Sequence, residues 1–598
     1  MRSSTSSKPL PIEQPSKDAR LESGPIPVNR QRSTAAESVV ALLAAMGIDT
    51  FFGVPGGPII PVFDAILTSK TATLIESRQE TNGVFAAMGL YRSTGKVSAI
   101  VVSAGPGATN MVTGVVAAHL ERVPMVILCG DVPWSTTGKK LFQDSGAAGV
   151  GIERMLSGIA RTVVRVSHAA SASAQVAAAV QAAMNPVNPG PVLVVLSVDR
   201  AGGRTVAPAL HLPATQVEPS RTQPDQALLD AVARHLEGAK RPLIIVGAGC
   251  RTRAAQVAKL IDAIGAPFVT TPQGKGIVSE SHPLSLRTCG TGASWWARRY
   301  MKAGPDVALV LGSDLDDVSV AGTPPVAQDG ILIHVDIDSS VFARNFPTEI
   351  GAGYDVGLFA EALASRLLKR PLPRRWRLIA EARAQSCFDV PTFAEDDSFP
   401  IAPHRVIADL ERAAGPDATF VTDIGEHTLF ALHYLTANSP NRFVAHLGLA
   451  SMASGIGSAI GLALGNRSRR VVCICGDGGM QMGGMELLVA IKHRLPIVYA
   501  VYNDARYNMV YHGYRQTFGR EAEWSTNHID FAEWAESVGA RGRLIERAGQ
   551  ITSELLDELT ADGLPVVLDI RQNADTRIIG DGRIEAVRQM SLIHDNTT

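Results

Sequence analysis

The segment from Arg470 to Asp504 narrows the possible folds more than any other part of the chain. It begins with the apolar run RVVCICG, passes through the turn GDGG, continues as an amphipathic helix and ends in a second apolar run, PIVYAVYND. Strands that are apolar on both faces are typical of parallel sheets covered by helices, and right-handed crossovers place consecutive strands side by side. The segment therefore predicts a parallel α/β sheet in which Asp477 and Asp504 follow neighbouring strands at their carboxyl ends.

These two aspartates are expected to converge on one crevice and to bind a metal ion there. Gly476, Gly478 and Gly479 flank the first aspartate and allow the backbone to approach a ligand closely. Two carboxylates beside a phosphate group suit a hard cation such as Mg²⁺, which keeps few protein ligands and takes the others from phosphate and water. A GDG turn alone is common, so the prediction depends on the complete strand, turn, helix and strand pattern.

Two further α/β blocks precede this one. A chain of 598 residues is too long for a single hydrophobic core, and strand-like runs alternate with Ala-rich helical segments in three regions separated by polar or Pro-rich stretches. We predict an α/β fold with three doubly wound parallel-sheet domains at residues 34–205, 220–370 and 398–575. A disordered extension at 1–33 and a tail at 576–598 are expected to flank them. The predicted strands are residues 97–105, 125–130, 191–198, 241–249, 306–313, 330–338, 420–425, 470–479, 496–504 and 565–570.

Composition excludes several classes of function. The formal net charge of -1 gives no electrostatic footprint for nucleic acid or for an anionic membrane. The uncharged run Leu447 to Gly465 is mostly Gly, Ala and Ser, which favours a closely packed helix in a soluble protein over a membrane span. The six cysteines are scattered without a CxxC pair, and the N-terminal region lacks the apolar core of a secretory signal. We therefore expect a cytoplasmic enzyme acting on small molecules, with organellar targeting disfavoured by the acidic residues near the N-terminus.

The GDG turn and the Asn503-Asp504 pair at this separation resemble the signature of thiamine-diphosphate-dependent enzymes. That signature usually closes with two asparagines, so Asp504 departs from it while still offering an oxygen ligand. The resemblance implies a Mg²⁺ ion bound by Asp477, Asp504 and the main-chain carbonyl of Arg506. It also implies that Gly476, Gly478 and Gly479 lie against the cofactor.

Further matches to acetolactate synthases extend over nearly the whole chain. Residues 423–427, DIGEH, resemble the segment that contacts the diphosphate, so Gly425, Glu426 and His427 are expected to bind the cofactor, although the family more often has Gln in place of Glu. LASMASGIG, residues 449–457, resembles the stretch whose bulky residue bends the cofactor, which assigns that role to Met452. Met509 matches a residue of the active site.

The first block supplies the other half of the predicted site. Residues 51–66, 76–96, 103–110 and 141–144 match acetolactate synthase segments in the same order. Glu80 occupies the position of the family's essential carboxylate, which hydrogen-bonds the cofactor's pyrimidine ring and favours proton removal from the thiazolium ring. By resemblance only, Gln143 and the backbone near Gly57 face the substrate carbonyl.

The resemblance implies a carboligase that decarboxylates a 2-oxo acid, pyruvate being expected, and transfers the fragment to a carbonyl acceptor. Decarboxylation leaves an acyl carbanion that no protein side chain stabilises, so a cofactor with an electron sink is required. Family members place the cofactor between the first domain of one subunit and the third domain of another, which implies a homodimer or a homotetramer.

Three alternatives remain open on the sequence. A decarboxylase that does not ligate, or a sulfoacetaldehyde-type acetyltransferase, shares the same cofactor motifs. A nucleotide-binding oxidoreductase would rest on the turn Gly247-Ala248-Gly249, which is weak evidence alone. An inactive homologue is disfavoured because Glu80, Met452 and Asp477 are all present.

The central block and the acceptor pocket depart from the family. Acetolactate synthases hold FAD in the central domain, but several flavin-associated features are altered here, so FAD stays an open prediction; the altered positions are Asn188, Arg287–Gly290 and Asp314–Asp317. Gly513 stands where anabolic acetolactate synthases carry a Trp that favours 2-oxobutyrate. Tyr511, His512 and Arg515 are expected to add polar groups to a reshaped pocket, which suggests a specialised acceptor.

Overall fold

The structure, a computed structural model, describes residues 33–205, 222–369, 372 and 374–578. The predicted extension, apart from Ser33, and most of the predicted tail lie outside the described residues. Three six-stranded sheets, each with parallel neighbours, form three consecutive domains, which confirms the predicted fold class.

The first domain contains a parallel sheet of order β3-β2-β4-β5-β7-β6, with the short strands β1 and β8 paired antiparallel beside it. Its strands are β1 (Ser33–Thr34), β2 (Thr50–Gly53), β3 (Thr73–Glu76), β4 (Ser98–Val102), β5 (Met125–Asp131), β6 (Val163–Arg165), β7 (Pro191–Ser197) and β8 (Arg204–Thr205). Its helices are α1 (Ala35–Ala45), α2 (Ile60–Thr68), α3 (Glu80–Thr94), α4 (Pro106–Asn110), α5 (Val112–Leu120), α6 (Ile152–Leu156), α7 (Ala172–Ala183) and α8 (Val198–Ala201).

The central domain contains a sheet of order β11-β10-β9-β12-β13-β14. Its strands are β9 (Pro242–Val246), β10 (Phe268–Thr270), β11 (Ser285–Thr288), β12 (Val307–Leu311), β13 (Ile331–Asp336) and β14 (Ile350–Gly353). Its helices are α9 (Gln226–Gly238), α10 (Ala254–Ile264), α11 (Trp295–Lys302), α12 (Asp317–Val320), α13 (Val356–Leu368) and α14 (Trp376–Ala382).

The third domain contains a sheet of order β16-β15-β17-β18-β20-β19. Its strands are β15 (Thr419–Thr422), β16 (Phe443–Ala445), β17 (Val471–Gly476), β18 (Val498–Asn503), β19 (Arg541–Ile545) and β20 (Val566–Arg571). Its helices are α15 (Pro403–Ala414), α16 (Glu426–Tyr434), α17 (Ser454–Gly465), α18 (Asp477–Gly483), α19 (Leu487–Lys492), α20 (Asn508–Phe518), α21 (Phe531–Ser537) and α22 (Ser553–Thr560).

The first and third domains share one strand order, whereas the central domain has the order of a dinucleotide-binding fold. Numbered within each six-stranded sheet, the first and third sheets both read 2-1-3-4-6-5, and the central sheet reads 3-2-1-4-5-6. In such sheets the crevice for a ligand opens where the strand order reverses, at the carboxyl ends of the strands. The reversals lie between β2 and β4, between β9 and β12, and between β15 and β17.

The first and third domains are joined by one continuous hydrophobic core across the helices α3 and α17. Glycines allow this contact to be very close. A Cβ added to Gly461 would lie 1.8 Å from the carbonyl oxygen of Ala86, and one added to Gly89 would lie 2.1 Å from that of Ser458. The prediction that residues 447–465 contribute a closely packed helix is thus confirmed for its second half, α17.

A buried ion cluster connects the central domain to the third domain. The ammonium of Lys275 bonds to both carboxylate oxygens of Glu280 at 2.8 Å, and both side chains are fully buried. Glu280 also accepts the N–H of Ala437 at 2.8 Å, and Arg287 donates to the carbonyl of Leu435. Buried charges of this kind are tolerated only when each is paired and hydrogen-bonded.

Across residues 33–205, 222–369 and 374–578, no helix is both long enough and apolar enough to cross a bilayer.

Candidate active site

Asp477 and Asp504 follow adjacent strands, as the sequence predicted. Strands β17 and β18 pair in parallel, with Gly476 opposite Tyr502, so the two aspartates leave the sheet at the same edge. Asp477 is buried and begins α18, and its Oδ2 accepts a hydrogen bond from the hydroxyl of Thr526 at 3.4 Å. The neighbouring Asn503 does not join them, because its amide donates to Asp569 at 2.7 Å inside the domain.

The charge of Asp477 acts on Asp504. Burial, the larger cause, and this charge together raise the pKa of Asp504 to about 7. Burial also raises the pKa of Asp477. A divalent cation between the two groups would relieve this repulsion, so the pair fits a Mg²⁺ site.

Gly476, Gly478 and Gly479, around Asp477, leave an open space that side chains would fill. This space is called the glycine cradle. A Cβ on Gly476 would lie 3.2 Å from the ring of His427, and one on Gly479 would lie 2.1 Å from the carboxylate of Asp423. His427 is buried, burial lowers its pKa to about 4, and its Nε2 has no hydrogen-bond partner among the described residues. A neutral, unpaired imidazole nitrogen beside a glycine cradle fits a ligand that supplies a hydrogen-bonding oxygen, such as a diphosphate.

Met452 lies over this cradle on a strained loop. Its Cε would be 3.1 Å from a Cβ on Gly478. Ala450 and Ala453, on either side of it, adopt positive φ angles of 57° and 69°, which cost energy for residues other than Gly. Such strain at a loop that enters a crevice is consistent with the predicted role of Met452.

The loop is held by Asp423, to which the sequence analysis assigned no role. Its two carboxylate oxygens accept the N–H groups of Ala453 and Gly455, both at 3.0 Å. Burial raises the pKa of Asp423 to about 6, although both N–H groups act in the opposite direction. In the sequence, Asp423 stood inside the predicted strand 420–425 and at the start of the DIGEH segment, whereas the observed strand β15 ends one residue before it.

The segment after β18 closes the crevice. Asp504 accepts hydrogen bonds from the N–H of Arg506 at 3.2 Å, from the amide of Gln572 at 2.7 Å and from the amide of Asn508. The carbonyl of Arg506, the predicted third metal ligand, accepts the N–H of Asn508 at 2.8 Å and retains a second lone pair. Met509 is partly buried against the core of the third domain. Asn508 and Gln572 were not predicted.

Glu426 makes a contact that the sequence analysis did not anticipate. Its carboxylate bonds to Nδ1 of His512 at 2.8 Å, and both side chains are largely buried. Tyr511 is also buried, with the guanidinium of Arg506 over its ring at 4.0 Å. The side chains of Tyr511 and His512 both contact residues predicted to bind the cofactor or the metal, so their contribution to a reshaped pocket stays a prediction. Only Arg515 of that group is exposed.

The predicted site residues of the first domain lie where the strand order of its sheet reverses, between β2 and β4. The turn before Gly57 rests on the loop after β4, since a Cβ on Gly56 would lie 2.4 Å from the side chain of Ser103. Gln143 has a positive φ of 54°, and its Cα lies 3.0 Å from the place of a Cβ on Gly105. Gly57 and Gln143 thus lie on loops at this crevice.

Glu80 is the first residue of α3 and is 8% exposed. Its Oε2 accepts a hydrogen bond from the amide of Asn110 at 3.1 Å, and its Oε1 would lie 3.4 Å from a Cβ on Gly107. The carboxylate therefore lies in the first-domain crevice. Among the described residues, no hydrogen bond or ion pair connects it to Asp477 or Asp504. The predicted site residues of the first domain and those of the third domain form two half-sites.

A third crevice, of about 780 Å³, opens at the reversal point of the central sheet. Asp314, Asp316 and Asp336 line it, together with the turn around Gly249. Arg251 also lines it, but its guanidinium donates to the main-chain carbonyls of Pro440 and Gln273. Carboxylates are unfavourable neighbours for a dinucleotide's diphosphate, so FAD stays a prediction from the resemblance and no step below uses a flavin.

Comparison with known families supports this division into three domains. Residues 33–150 match the N-terminal TPP binding domain of thiamine pyrophosphate enzymes, residues 229–363 match their central domain, and residues 423–570 match their C-terminal TPP binding domain. The chain belongs to the thiamine pyrophosphate enzyme family. The half-sites described above fall within its two TPP binding domains.

Several curated relatives are acetolactate synthase subunits. The chain is 28% identical to a probable acetolactate synthase large subunit from Methanococcus aeolicus, covering 89% of this chain and 91% of the relative. It is 28% identical to the acetolactate synthase isozyme 3 large subunit of Escherichia coli (strain K12), covering 88% and 92%. A putative acetolactate synthase large subunit of Mycobacterium tuberculosis is 29% identical, covering 90% and 97%. The chain is therefore similar to acetolactate synthase large subunits over about nine-tenths of its length.

Proposed function

We propose that the chain is a thiamine-diphosphate- and Mg²⁺-dependent carboligase that decarboxylates a 2-oxo acid, pyruvate in the first instance, and joins the fragment to a carbonyl acceptor. The observation that carries the proposal is the pair of buried carboxylates, Asp477 and Asp504, at the ends of adjacent strands and beside the glycine cradle. In this proposal the two aspartates and the carbonyl of Arg506 hold the metal ion. Glu426 and His427, with the glycines at 425, 476, 478 and 479, surround the diphosphate.

The bound cofactor supplies the electron sink that stabilises the acyl carbanion left by decarboxylation. Glu80 holds a proton at the pyrimidine nitrogen. Met452 would orient the cofactor from the loop before α17, and Met509 would contact it from α20. Gln143 and the backbone at Gly57 orient the substrate carbonyl. Closing these surfaces around the reacting atoms turns proton transfer into a positioned step.

A complete site requires a second copy of the chain in this proposal. Glu80 and Asp477 belong to different domains, and large apolar side chains near both half-sites are exposed: Phe142 is 88%, Met482 57% and Val510 57% exposed. Exposed apolar groups next to half-sites favour burial against a partner subunit. We therefore propose a homodimer, or a homotetramer built from it, and a cytoplasmic location remains a prediction.

The acceptor is proposed to differ from the usual 2-oxo acids of amino-acid biosynthesis. A Cβ on Gly513 would meet nothing within 4 Å, so the space that a Trp would fill is open. Val510 and Arg515 flank this opening on exposed faces of α20. The extra volume and the nearby guanidinium favour a larger acceptor that carries a negative charge.

The test incubates the purified protein with thiamine diphosphate, Mg²⁺ and a panel of 2-oxo acids, alone and with carbonyl acceptors, and identifies products by mass. Glu80→Gln and Asp477→Ala serve as matched inactive controls. A ligated product that both substitutions abolish supports the proposal. Carbon dioxide release without a ligated product would indicate the decarboxylase, and phosphate consumption the acetyltransferase. Rapid formation of acetolactate from pyruvate alone would contradict the specialised acceptor.

A further inference from the structure

Glu486 places a buried carboxylate of the third domain against the first domain. It lies in the 3-10 turn Gly484–Glu486 between α18 and α19 and is 1% exposed. Its Oε1 accepts the N–H of Arg78 at 2.8 Å and the N–H of Gln79 at 3.0 Å. These two peptide groups immediately precede Glu80, so the carboxylate of Glu486 fixes the backbone that leads into α3.

The bonds of Glu486 are the reason that a buried acid is tolerated there. Burial raises the pKa of Glu486 to about 7, while the N–H groups of Arg78 and Gln79, the charge of Arg78 and the side chain of Asn82 lower it. A buried carboxylate without such donors would be costly, so the three neighbours and Glu486 are expected to stay in fixed positions.

The first turn of α3 is held by the bonds of Glu486 together with bonds to Asn110, whose carbonyl accepts the hydroxyl of Thr81 and the amide of Gln79. Farther along, α3 is held against α17 by the close contacts of Gly89 and Gly461. At the first turn, Gln79 caps the N–H of Asn82 at 3.2 Å, and Asn110 bonds to Glu80. Gln79 is itself held by Glu486, so a displacement of that carboxylate is transmitted to the cap and then to Glu80.

We propose that Glu486 is a positioning residue, which fixes the peptide groups before Glu80 and thereby sets the placement of the Glu80 carboxylate on the cofactor. The inference rests on the proposed function, because it takes Glu80 as the group that contacts the pyrimidine. Glu486 also follows α18, the helix that begins with Asp477. In a homodimer the Asp477 and the Glu80 of one chain serve different cofactors, so Glu486 connects the two sites.

The chain offers a matched control at the same junction. Lys492 on α19 pairs with Glu76 at the end of β3 at 2.6 Å, and the two side chains are 48% and 34% exposed. This ion pair joins the same two segments, but it does not touch the peptide groups before Glu80. Lys492→Ala therefore reports what is lost when a contact between these segments is removed without disturbing Glu80.

The experiment compares Glu486→Ala, Glu486→Gln and Lys492→Ala with the wild-type holoenzyme at saturating thiamine diphosphate and Mg²⁺. Deuterium exchange of the cofactor's acidic ring proton is measured without substrate, together with kcat and the cofactor half-saturation concentration. We expect Glu486→Ala to lower the exchange rate and kcat in parallel, by about tenfold or more, because small displacements of a catalytic group have large effects. Glu486→Gln retains an acceptor oxygen and loses less, and Lys492→Ala matches wild type.

The half-saturation concentration for the cofactor is expected to stay within about threefold of wild type, because Glu486 does not contact the diphosphate side. The inference is overturned if both Glu486 variants exchange the proton at the wild-type rate, or if their defect is confined to cofactor half-saturation. Should Glu486→Ala not fold, the other two variants decide the question: the proposal requires a lower exchange rate and kcat in Glu486→Gln than in Lys492→Ala. Glu80→Gln separates the two proposals. If that variant exchanged the cofactor's ring proton at the wild-type rate, the proposed function would be contradicted.

Discussion

Replacing Gly461 by Ala tests whether the contact between α3 and α17 positions Glu80. The added Cβ would lie 1.8 Å from the carbonyl oxygen of Ala86 and 2.4 Å from the backbone nitrogen of Leu90. Real Cβ atoms essentially never approach closer than 3.0 Å, so the two helices must separate by roughly 1.2 Å. Because both close atoms belong to the backbone, no side-chain rotation can relieve the contact.

This displacement has a cost in stability and a cost in catalysis. Overpacking of this kind destabilises by about 1–3 kcal/mol. A shift of about 1 Å at a catalytic group lowers activity by up to about a hundredfold, and α3 begins with Glu80. We therefore expect a lower unfolding temperature together with a loss of kcat at saturating cofactor.

The assay compares thermal unfolding and steady-state kinetics of Gly461→Ala with those of Gly238→Ala. Gly238 ends α9 in the central domain, and a Cβ there would meet nothing within 4 Å. The control variant should behave like wild type. If Gly461→Ala also retained the wild-type unfolding temperature and kcat, the close helix contact would not position Glu80, and the reasoning would be refuted.

Three further predictions follow from other sites. Asp477→Ala should abolish Mg²⁺-dependent cofactor binding in a titration, whereas Asp504→Asn keeps an oxygen ligand and should still bind; equal affinities in both variants would argue against a shared metal site. Lys275→Met leaves Glu280 buried without its ammonium partner and should destabilise by about 3–5 kcal/mol in denaturant unfolding, while loss of the exposed pair of Lys492 should cost about 0–1 kcal/mol. Burial lowers the pKa of His433 from 6.5 to about 3, so the unfolded state binds more protons in that window and stability should fall as pH drops through it. His433→Gln should flatten that slope, and an unchanged slope would assign the acid sensitivity to other groups.

The sequence predicted the sheets better than it predicted the details of the site. Long apolar runs marked the central strands, such as β5, β17 and β18, because both faces of those strands are buried. The short strands β3, β6, β11 and β16 lack such runs, and their pairing is decided by neighbours far away in the sequence. The strand RVVCICGDGG also ends earlier than its predicted span, since α18 begins at Asp477.

Residues that act through backbone contacts could not be predicted from motifs. Asp423 and Glu486 are buried acids whose partners are main-chain N–H groups, and every residue type except proline supplies such a group. The pairing of Glu426 with His512 likewise depends on how α16 and α20 pack. The spacing of Asp477 and Asp504 was informative because the geometry of adjacent parallel strands is nearly fixed.

The placement of Glu80 and Asp477 in different domains leads to a prediction about mixed dimers. Suppose that each site takes Glu80 from one copy and Asp477 from the other, as a twofold arrangement requires. A dimer of one Glu80→Gln chain and one Asp477→Ala chain then carries both substitutions in one site and leaves the second site intact. Random pairing of two inactive variants makes half of the dimers mixed, so activity should return to about a quarter of wild type. Co-expression with two affinity tags isolates the mixed dimer, which should have about half of the wild-type kcat per dimer. If each site were formed within a single chain, no mixture of the two variants could regain activity, because every chain would carry one damaged site.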